Sequence, residues 1–308
     1  MARVFVTRRL PGTAVGRLAH EHEVDLWPGA EPPPRTELLE RTAEAEGLLS
    51  MLTDPVDAGL IAAAPKLKAI ANYAVGTDNI DLAAATARGI PVGNTPDVLT
   101  ETTAELAFAL MLAAARRIVE ADRYVREGRW GEWSPDLLLG HDLYGATLGI
   151  VGYGRIGQAV ARQARGFDMT VLHGIPLHDL LERSDFVSLH APLTPETRGL
   201  IGDAELARMK PSAILINTAR GPLVDTMALE RALTSGQIAG AGLDVTDPEP
   251  LPADHPLLKA PNLVIAPHIG SASHRTREAM ADMAVDNLLA ALAGERMPHC
   301  ANPEVYDR

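Results

Sequence analysis

The chain has 308 residues, is 46% hydrophobic and carries a formal net charge of −12; this is apolar material enough for two domains with full cores, which excludes disordered and fibrous classes. No Lys/Arg-rich segment offsets the negative charge, so a nucleic-acid partner is disfavoured and an anionic substrate would need a locally placed cation. A single cysteine, Cys300, excludes an internal disulfide and a cysteine-rich metal site and fits a reducing cytoplasm; Met1 to Arg9 has no signal-peptide character, and no stretch approaches the roughly 18 uninterrupted apolar residues of a membrane span.

The first hundred residues alternate strand and helix patterns. Val4 to Thr7, Glu23 to Trp27, Gly47 to Met51, Leu67 to Ala71 and Ile90 to Gly93 read as strands, and Thr13 to Ala19, Thr36 to Ala45, Asp57 to Ala64 and Asp81 to Arg88 as helices, with a proline-rich loop at Pro28 to Arg35. Such alternation implies a parallel, doubly wound sheet. This first unit is expected to end at about Pro96.

Thr102 and Glu105 have the spacing of a capping box, and Leu106, Ala109, Leu110 and Ala113 follow at helical period, so a helix is expected from there to about Arg117. Between Arg126 and Asp142 the pattern breaks. Trp130, Trp133 and the run Leu137 to Leu139 form an apolar excursion, read as an arm at about residues 119–146 that buries its tryptophans in a second copy of the chain.

The stretch from Thr147 to His173 organises the second half of the chain. Thr147 to Val151 is an apolar, β-branched strand leading into Gly152, Gly154 and Gly157 in a G-x-G-x-x-G spacing, and Arg155 to Arg165 carries the helical period. Strand, glycine turn and helix N-terminus in that order are what a dinucleotide needs: a tight turn at Gly152, close backbone approach at Gly154, close helix packing at Gly157, and phosphates meeting unpaired helix N–H groups. Further strands come at Met169 to His173, Phe186 to Leu189, Ile214 to Asn217, Ala239 to Val245 and Leu263 to Ala266. A final helix, Ser273 to Ala293, has room to return to the first unit. The expectation is thus an α/β protein of two doubly wound parallel-sheet domains. One is a flavodoxin-like substrate domain of residues 1–96 and 287–308, and the other is an inserted Rossmann NAD(P)-binding domain of residues 97–286.

Four further motifs, Tyr73-Ala74-Val75-Gly76-Thr77-Asp78, Asn217-Thr218-Ala219-Arg220-Gly221, Gly242-Leu243-Asp244-Val245 with Pro248-Glu249-Pro250, and Pro267-His268-Ile269-Gly270-Ser271, join the glycine turn in a pattern that covers nearly the whole chain. With them the chain resembles the D-isomer-specific 2-hydroxyacid dehydrogenases, and within them the branch that reduces glyoxylate and hydroxypyruvate. Taken singly, an arginine after a strand is more often a surface ion pair and a lone histidine a structural residue. The resemblance makes Arg220, Glu249 and His268 the catalytic set. Arg220 offers a planar fork of donors for carboxylate and keto oxygen, and His268 is a proton donor to the developing alkoxide; Glu249 accepts from the other ring nitrogen. The substrate contacts it implies are Met51, Leu52, the Val75 and Gly76 N–H groups, Arg220 and Ser271. The cofactor contacts are Thr103, Arg155, Ile156, His190, Pro192, Thr197, Thr218, Asp244 and Gly270 beside the three glycines; no metal site is expected. Asp244 is the expected partner of a nicotinamide carboxamide, with a strand-terminal cap as the plainer alternative.

The resemblance also carries alternatives. Leu48 to Thr53 holds no arginine to meet a phosphorylated substrate, which disfavours D-3-phosphoglycerate; D-lactate chemistry comes second, and a nucleotide-sensing, non-catalytic binding protein is the reading from another class. One departure bears on the cofactor. A Rossmann fold reads the ribose 2′ position with the side chain that ends its second strand, yet Val171-Leu172-His173 runs straight into Gly174-Ile175-Pro176, about ten residues short of the expected connection. Either the chain carries a true deletion or a segment is missing from the sequence, the second being the preferred reading. The absence of an acid after His173, with the branch resembled, leans toward NADP over NAD.

Overall fold

The structure is a computed structural model and describes residues 1–307. The chain divides into two compact units, Met1–Leu99 with Ser271–Arg308, and Thr100–Gly270. The return to the first unit therefore comes at Ser271, earlier than the expected residue 287. The reason is packing: the last helix lies on the first unit's sheet along its whole length rather than bridging to it.

In the first unit five parallel strands, β1 (Arg3–Val6), β2 (Glu23–Leu26), β3 (Gly47–Met51), β4 (Ala69–Tyr73) and β5 (Val92–Gly93), stand in the order β2-β1-β3-β4-β5, the flavodoxin-like arrangement. Helices α1 (Ala14–Glu21), α2 (Arg35–Glu44), α3 (Ala58–Ala63) and α4 (Leu82–Ala87) connect them. Both faces are covered, so alternate strand residues enter different cores. Val4, Leu49 and Ala71 pack with Leu18 and with Ala284 and Leu288 of the last helix, whereas Phe5, Leu48 and Ile70 pack with Leu38, Leu60 and Ile61. Continuous apolar runs, not alternation, are the signature of such strands.

The second unit opens with α5 (Thr100–Ala115) and α6 (Ile118–Arg126). Thr102 does not cap α5, which begins two residues earlier at Thr100. It ends before Arg117, whose left-handed backbone (φ 52°) separates the two helices; α6 was not expected from the sequence, and none of its residues is buried. Six parallel strands come next in the chain: β6 (Thr147–Val151), β7 (Thr170–Leu172), β8 (Phe186–Leu189), β9 (Ile214–Asn217), β10 (Gly240–Leu243) and β11 (Leu263–Ile265). They are linked by α7 (Arg155–Ala164), α8 (Leu177–Arg183), the single-turn α9 (Asp203–Leu206) and α10 (Thr226–Thr234). Their order is β11-β10-β9-β8-β6-β7. The final helix, α11 (His274–Leu292), belongs to the first unit. Its N-cap Ser273 side chain accepts from the Thr276 N–H.

A complete dinucleotide fold has strand order 3-2-1-4-5-6, with two strands beyond the one that carries the glycine turn. Here only β7 lies beyond β6, and it is the sheet's edge. The chain passes from Leu172 to Leu177 through His173, Gly174, Ile175 and Pro176 alone: Gly174 turns with φ 66°, Ile175 packs against the second unit's core, and Pro176 begins α8. The short connection thus runs directly from the edge strand into α8.

Candidate active site

In a parallel sheet the loops that leave the C-terminal strand ends share one edge, and that edge is where α/β proteins bind ligands. The second unit places the glycine turn after β6, Arg220 after β9, Asp244 and Glu249 after β10, and His268 after β11.

The glycine turn is built for close approach. At Gly152, with φ 91°, a Cβ would lie 2.5 Å from the Ala191 nitrogen and the His190 carbonyl carbon, and at Gly157 it would lie 2.2 Å from the Gly152 oxygen. No side chain is tolerated at either place. At Gly154 a Cβ would meet nothing within 4 Å, so this glycine presents bare backbone to open space at the N-terminus of α7, where Arg155 and Ile156 begin the helix. A pyrophosphate suits that surface: orphan N–H groups and the positive end of the dipole face an anion. Nearby, Thr218 follows β9 and is buried, and its hydroxyl has no hydrogen-bond partner among the described residues, as suits a group waiting for a polar ligand. On both counts the residues fit a dinucleotide.

The other expected cofactor residues divide. Thr103, Asp244 and Gly270 come together, since a Cβ on Gly270 would lie 3.1 Å from Asp244 Oδ2 and 3.5 Å from Thr103 Oγ1. The His190 backbone closes on Gly152, while its Nε2 pairs with Ser188 Oγ at 2.8 Å; burial pushes this imidazole down to about 4, so it is neutral at pH 7. Thr197 uses its hydroxyl within its own loop, donating to the Pro192 carbonyl at 2.7 Å and accepting from the Thr194 N–H at 2.8 Å. Pro192 and Thr197 thus shape the loop after β8.

The loops after β9, β10 and β11 interlock. Asn217, which sequence reading left without a role, donates from Nδ2 to the Arg220 carbonyl at 2.8 Å and accepts from the Ala219 N–H at 3.0 Å. It folds the turn that presents Arg220, whose guanidinium donates to the Ala219 carbonyl at 2.8 Å. Next to it, a Cβ on Gly221 would sit 1.9 Å from the Thr246 oxygen, so the arginine turn rests directly on the backbone leading to Glu249. Glu249 Oε1 and His268 Nδ1 are 2.6 Å apart, close enough for a charge-assisted hydrogen bond.

His268 has a left-handed backbone (φ 55°), a conformation that a non-glycine residue keeps only when its surroundings impose it. Asp244 imposes it: the His268 N–H donates to the Asp244 carbonyl at 2.8 Å, and the two carboxylate oxygens accept from the Ile269 and Gly270 N–H groups, each at 2.7 Å. The plainer reading of Asp244 as a strand-terminal cap describes these contacts, although each oxygen keeps a lone pair for a ligand. Burial raises its carboxyl above the usual carboxylate range, while the two N–H donors and His268 draw it back.

The candidate substrate residues of the first unit are held by a separate network. Asn79 Nδ2 donates to the Met51 and Asp54 carbonyls, each at 3.0 Å, and Asn72 Nδ2 donates to the Gly76 carbonyl at 2.9 Å and to Asn79 Oδ1 at 3.0 Å; Asn94 Nδ2 donates to the Val75 carbonyl at 2.8 Å. With both carbonyls engaged, the Val75 and Gly76 N–H groups have no protein acceptor among the described residues, the arrangement of an anion-binding nest. Met51 is buried at the end of β3 and Leu52 is half-buried after it, and Ser271 begins the C-terminal segment of this unit. Among the described residues no cluster of three or more His, Cys, Asp or Glu could hold a metal ion, and no helix is long and apolar enough to cross a membrane.

Comparison with known proteins places this geometry. The D-isomer specific 2-hydroxyacid dehydrogenase, NAD binding domain, matches residues 108–270, and a glyoxylate reductase of Korarchaeum cryptofilum is 55% identical over 98% of this chain and 96% of its own. The chain belongs to the D-isomer specific 2-hydroxyacid dehydrogenase family. It is an enzyme of that family, and its second unit is the family's NAD-binding domain. A crystal structure of a protein from Thermus thermophilus superposes with a TM-score of 0.92 at 53% identity, covering 97% of this chain and 99% of that one. The NADPH-dependent glyoxylate/hydroxypyruvate reductase of Sinorhizobium meliloti, in complex with NADP and malonate, superposes at 0.85 with 33% identity, covering 98% of this chain and 97% of its own. The alignment with the Korarchaeum protein runs over 320 positions and covers 98% of this 308-residue chain, so about eighteen of its positions have no counterpart here.

Proposed function

We propose that this enzyme reduces small 2-keto acids, glyoxylate and hydroxypyruvate, to the 2-hydroxy acids, with NADPH somewhat preferred over NADH as donor. The observation that carries the reading is the 2.6 Å pair of Glu249 and His268, set on the same sheet edge as Arg220 and the glycine turn. The bound nicotinamide supplies a hydride to the carbonyl carbon. Every other requirement falls to side chains of this chain. The Arg220 guanidinium binds the keto acid through its planar fork, neutralising a carboxylate that a protein of net charge −12 would otherwise repel. The Val75 and Gly76 N–H groups offer the same carboxylate chemistry. His268 gives a proton from Nε2 to the oxygen as its negative charge grows, and Glu249, accepting from Nδ1–H, fixes the tautomer and steadies the imidazolium that precedes transfer. Asp244 keeps the His268 loop in its left-handed turn and takes the nicotinamide carboxamide on its remaining lone pairs.

The Korarchaeum and Sinorhizobium relatives act on glyoxylate or on glyoxylate and hydroxypyruvate, and the apolar Met51 and Leu52 suit a short, uncharged substrate tail. Initial rates of reduced-cofactor consumption, with NADPH and NADH each offered glyoxylate, hydroxypyruvate and pyruvate, test the reading. Turnover of the first two above pyruvate is expected; no turnover despite tight nucleotide binding would replace the reductase with a nucleotide sensor.

The same reading includes a cytoplasmic homodimer. Trp130 and Trp133 are 61% and 80% exposed, Val125 and Leu139 are also open to solvent, and a groove of about 700 Å³ is lined by Arg117, Val119, Arg123, Leu139, Leu258 and Leu263. Exposed apolar surface of this extent marks an interface. Light scattering should give twice the monomer mass, and a monomer at micromolar concentration would remove the arm's role.

A further inference from the structure

We infer that this enzyme discriminates little between NAD(H) and NADP(H), binding the two within tenfold of one another, because the adenosine end of its cofactor site is reduced to the His173 ring lying flat on Tyr153. The inference rests on the dinucleotide reading of the glycine turn. It concerns the part of the site that the short connection after β7 shapes.

In a dinucleotide fold the adenosine ribose lies between the glycine turn and the end of the next strand, and the side chain at that strand end chooses the cofactor. A carboxylate there binds both ribose hydroxyls and repels a 2′-phosphate, whereas an arginine nearby attracts it. Either choice needs a charge at a fixed place. In this chain the strand is β7, the edge of the sheet, and the connection that would carry such a charge is only His173, Gly174, Ile175 and Pro176. None of the four is an acid, a lysine or an arginine. The nearest charged side chain on the following helix, Asp179, lies 3.4 Å from His178. Arg155 opens α7 beside the glycine turn, the part of the site that would face the pyrophosphate common to both cofactors.

What remains is an aromatic pair. Tyr153, the residue between the first two glycines, stacks on His173 with ring centroids 3.5 Å apart and an interplanar angle of 4°. One ring is fixed by the glycine turn and the other by the end of β7, so the pair joins the two elements between which an adenosine ribose sits. No hydrogen bond ties the His173 ring nitrogens among the described residues, and an imidazole can donate to a phosphate oxygen as readily as it exchanges hydrogen bonds with a hydroxyl. A strand end with one ambivalent ring and no acid, lysine or arginine in its connection has no means of strong discrimination at the 2′ position.

The test is equilibrium binding, followed by the fluorescence of the reduced nucleotide in titrations with NADPH and NADH. Adenosine 2′,5′-bisphosphate and AMP then serve as competitors that report the adenosine end alone. The native protein is expected to bind the members of each pair within tenfold. His173→Asp is expected to weaken NADPH and the bisphosphate at least tenfold relative to NADH and AMP, since it puts a carboxylate at the end of β7, where a dinucleotide fold reads the ribose. Native discrimination beyond tenfold in either direction overturns the proposal, as does a ratio that His173→Asp leaves unmoved. Comparable binding of both nucleotides without reduction of glyoxylate would sink the proposed reaction and leave this inference standing, while binding of neither would overturn both.

Discussion

At one end of the second unit's binding edge, three loops after β9, β10 and β11 brace one another. Asn217 folds the Arg220 turn, Gly221 seats it against the Thr246 backbone, Glu249 holds His268, and Asp244 clamps the two N–H groups beyond it. At the other end, after β7, four residues close the chain and a single ring stack occupies the strand end. Both ends belong to one sheet and, on our reading, serve one ligand. The difference teaches where precision is needed: proton and hydride transfer require reacting groups to be held within fractions of an ångström, whereas an adenosine end contributes binding that the pyrophosphate turn partly supplies.

If that contrast is right, substitutions at the braced end should cost rate steeply and those at the bare end should cost little. The largest effect is expected for Arg220→Ala, a loss in kcat/KM on the order of 10³ or more as charge-assisted bonds to the substrate disappear; near-native kinetics would take Arg220 out of the mechanism. His268→Gln should lower kcat on the order of 10²–10³ while nucleotide titrations remain near native, and unaltered turnover would end its assignment as the acid. Glu249→Gln is expected to cost roughly 10–10² in kcat while nucleotide titrations remain near native, because the imidazolium loses its carboxylate partner. Near-native turnover would reduce Glu249 to a turn residue.

A smaller effect concerns stability. The folded His190 titrates at about 4, below its ordinary value of 6.5, so as pH falls below 6.5 the unfolded chain takes up a proton that the folded chain refuses. Its contribution is complete above that value and is lost down to about pH 4, a difference on the order of 3 kcal/mol. Urea unfolding of His190→Gln should show a correspondingly flatter decline over this window than the native protein. The smallest effect belongs to the bare end: His173→Ala should weaken NADH and NADPH alike, by about two- to tenfold, the range of one aromatic stack.

Legibility in the sequence followed the same division. The inner strands of both sheets could be read because each is buried on two faces and therefore largely apolar, as Val4 to Val6 and Ile214 to Ile216 illustrate. The glycine spacing could be read because Gly152 and Gly157 leave no room for a Cβ, a steric demand that admits one residue type. Helix α6 escaped although its sequence is amphipathic, for it follows α5 after the single turn at Arg117 and none of its residues is buried within the chain. Asn217 and Asn79 escaped because an asparagine that braces a loop has the same letter as one in any turn.

The order of elements, the glycine turn, and the residue types able to bind a keto acid and move a proton were determined by the sequence itself, since local sterics and chemical function are properties of single residues and short spacings. Tertiary structure alone decided that the chain returns to its first unit at Ser271, that His268 adopts a left-handed turn under the hold of Asp244, and that the short connection after β7 leaves that strand at the edge with His173 laid on Tyr153. Each of these depends on segments far apart in the chain meeting in space. A linear pattern records which residues are present, and only the packed sheet fixes which of them share an edge.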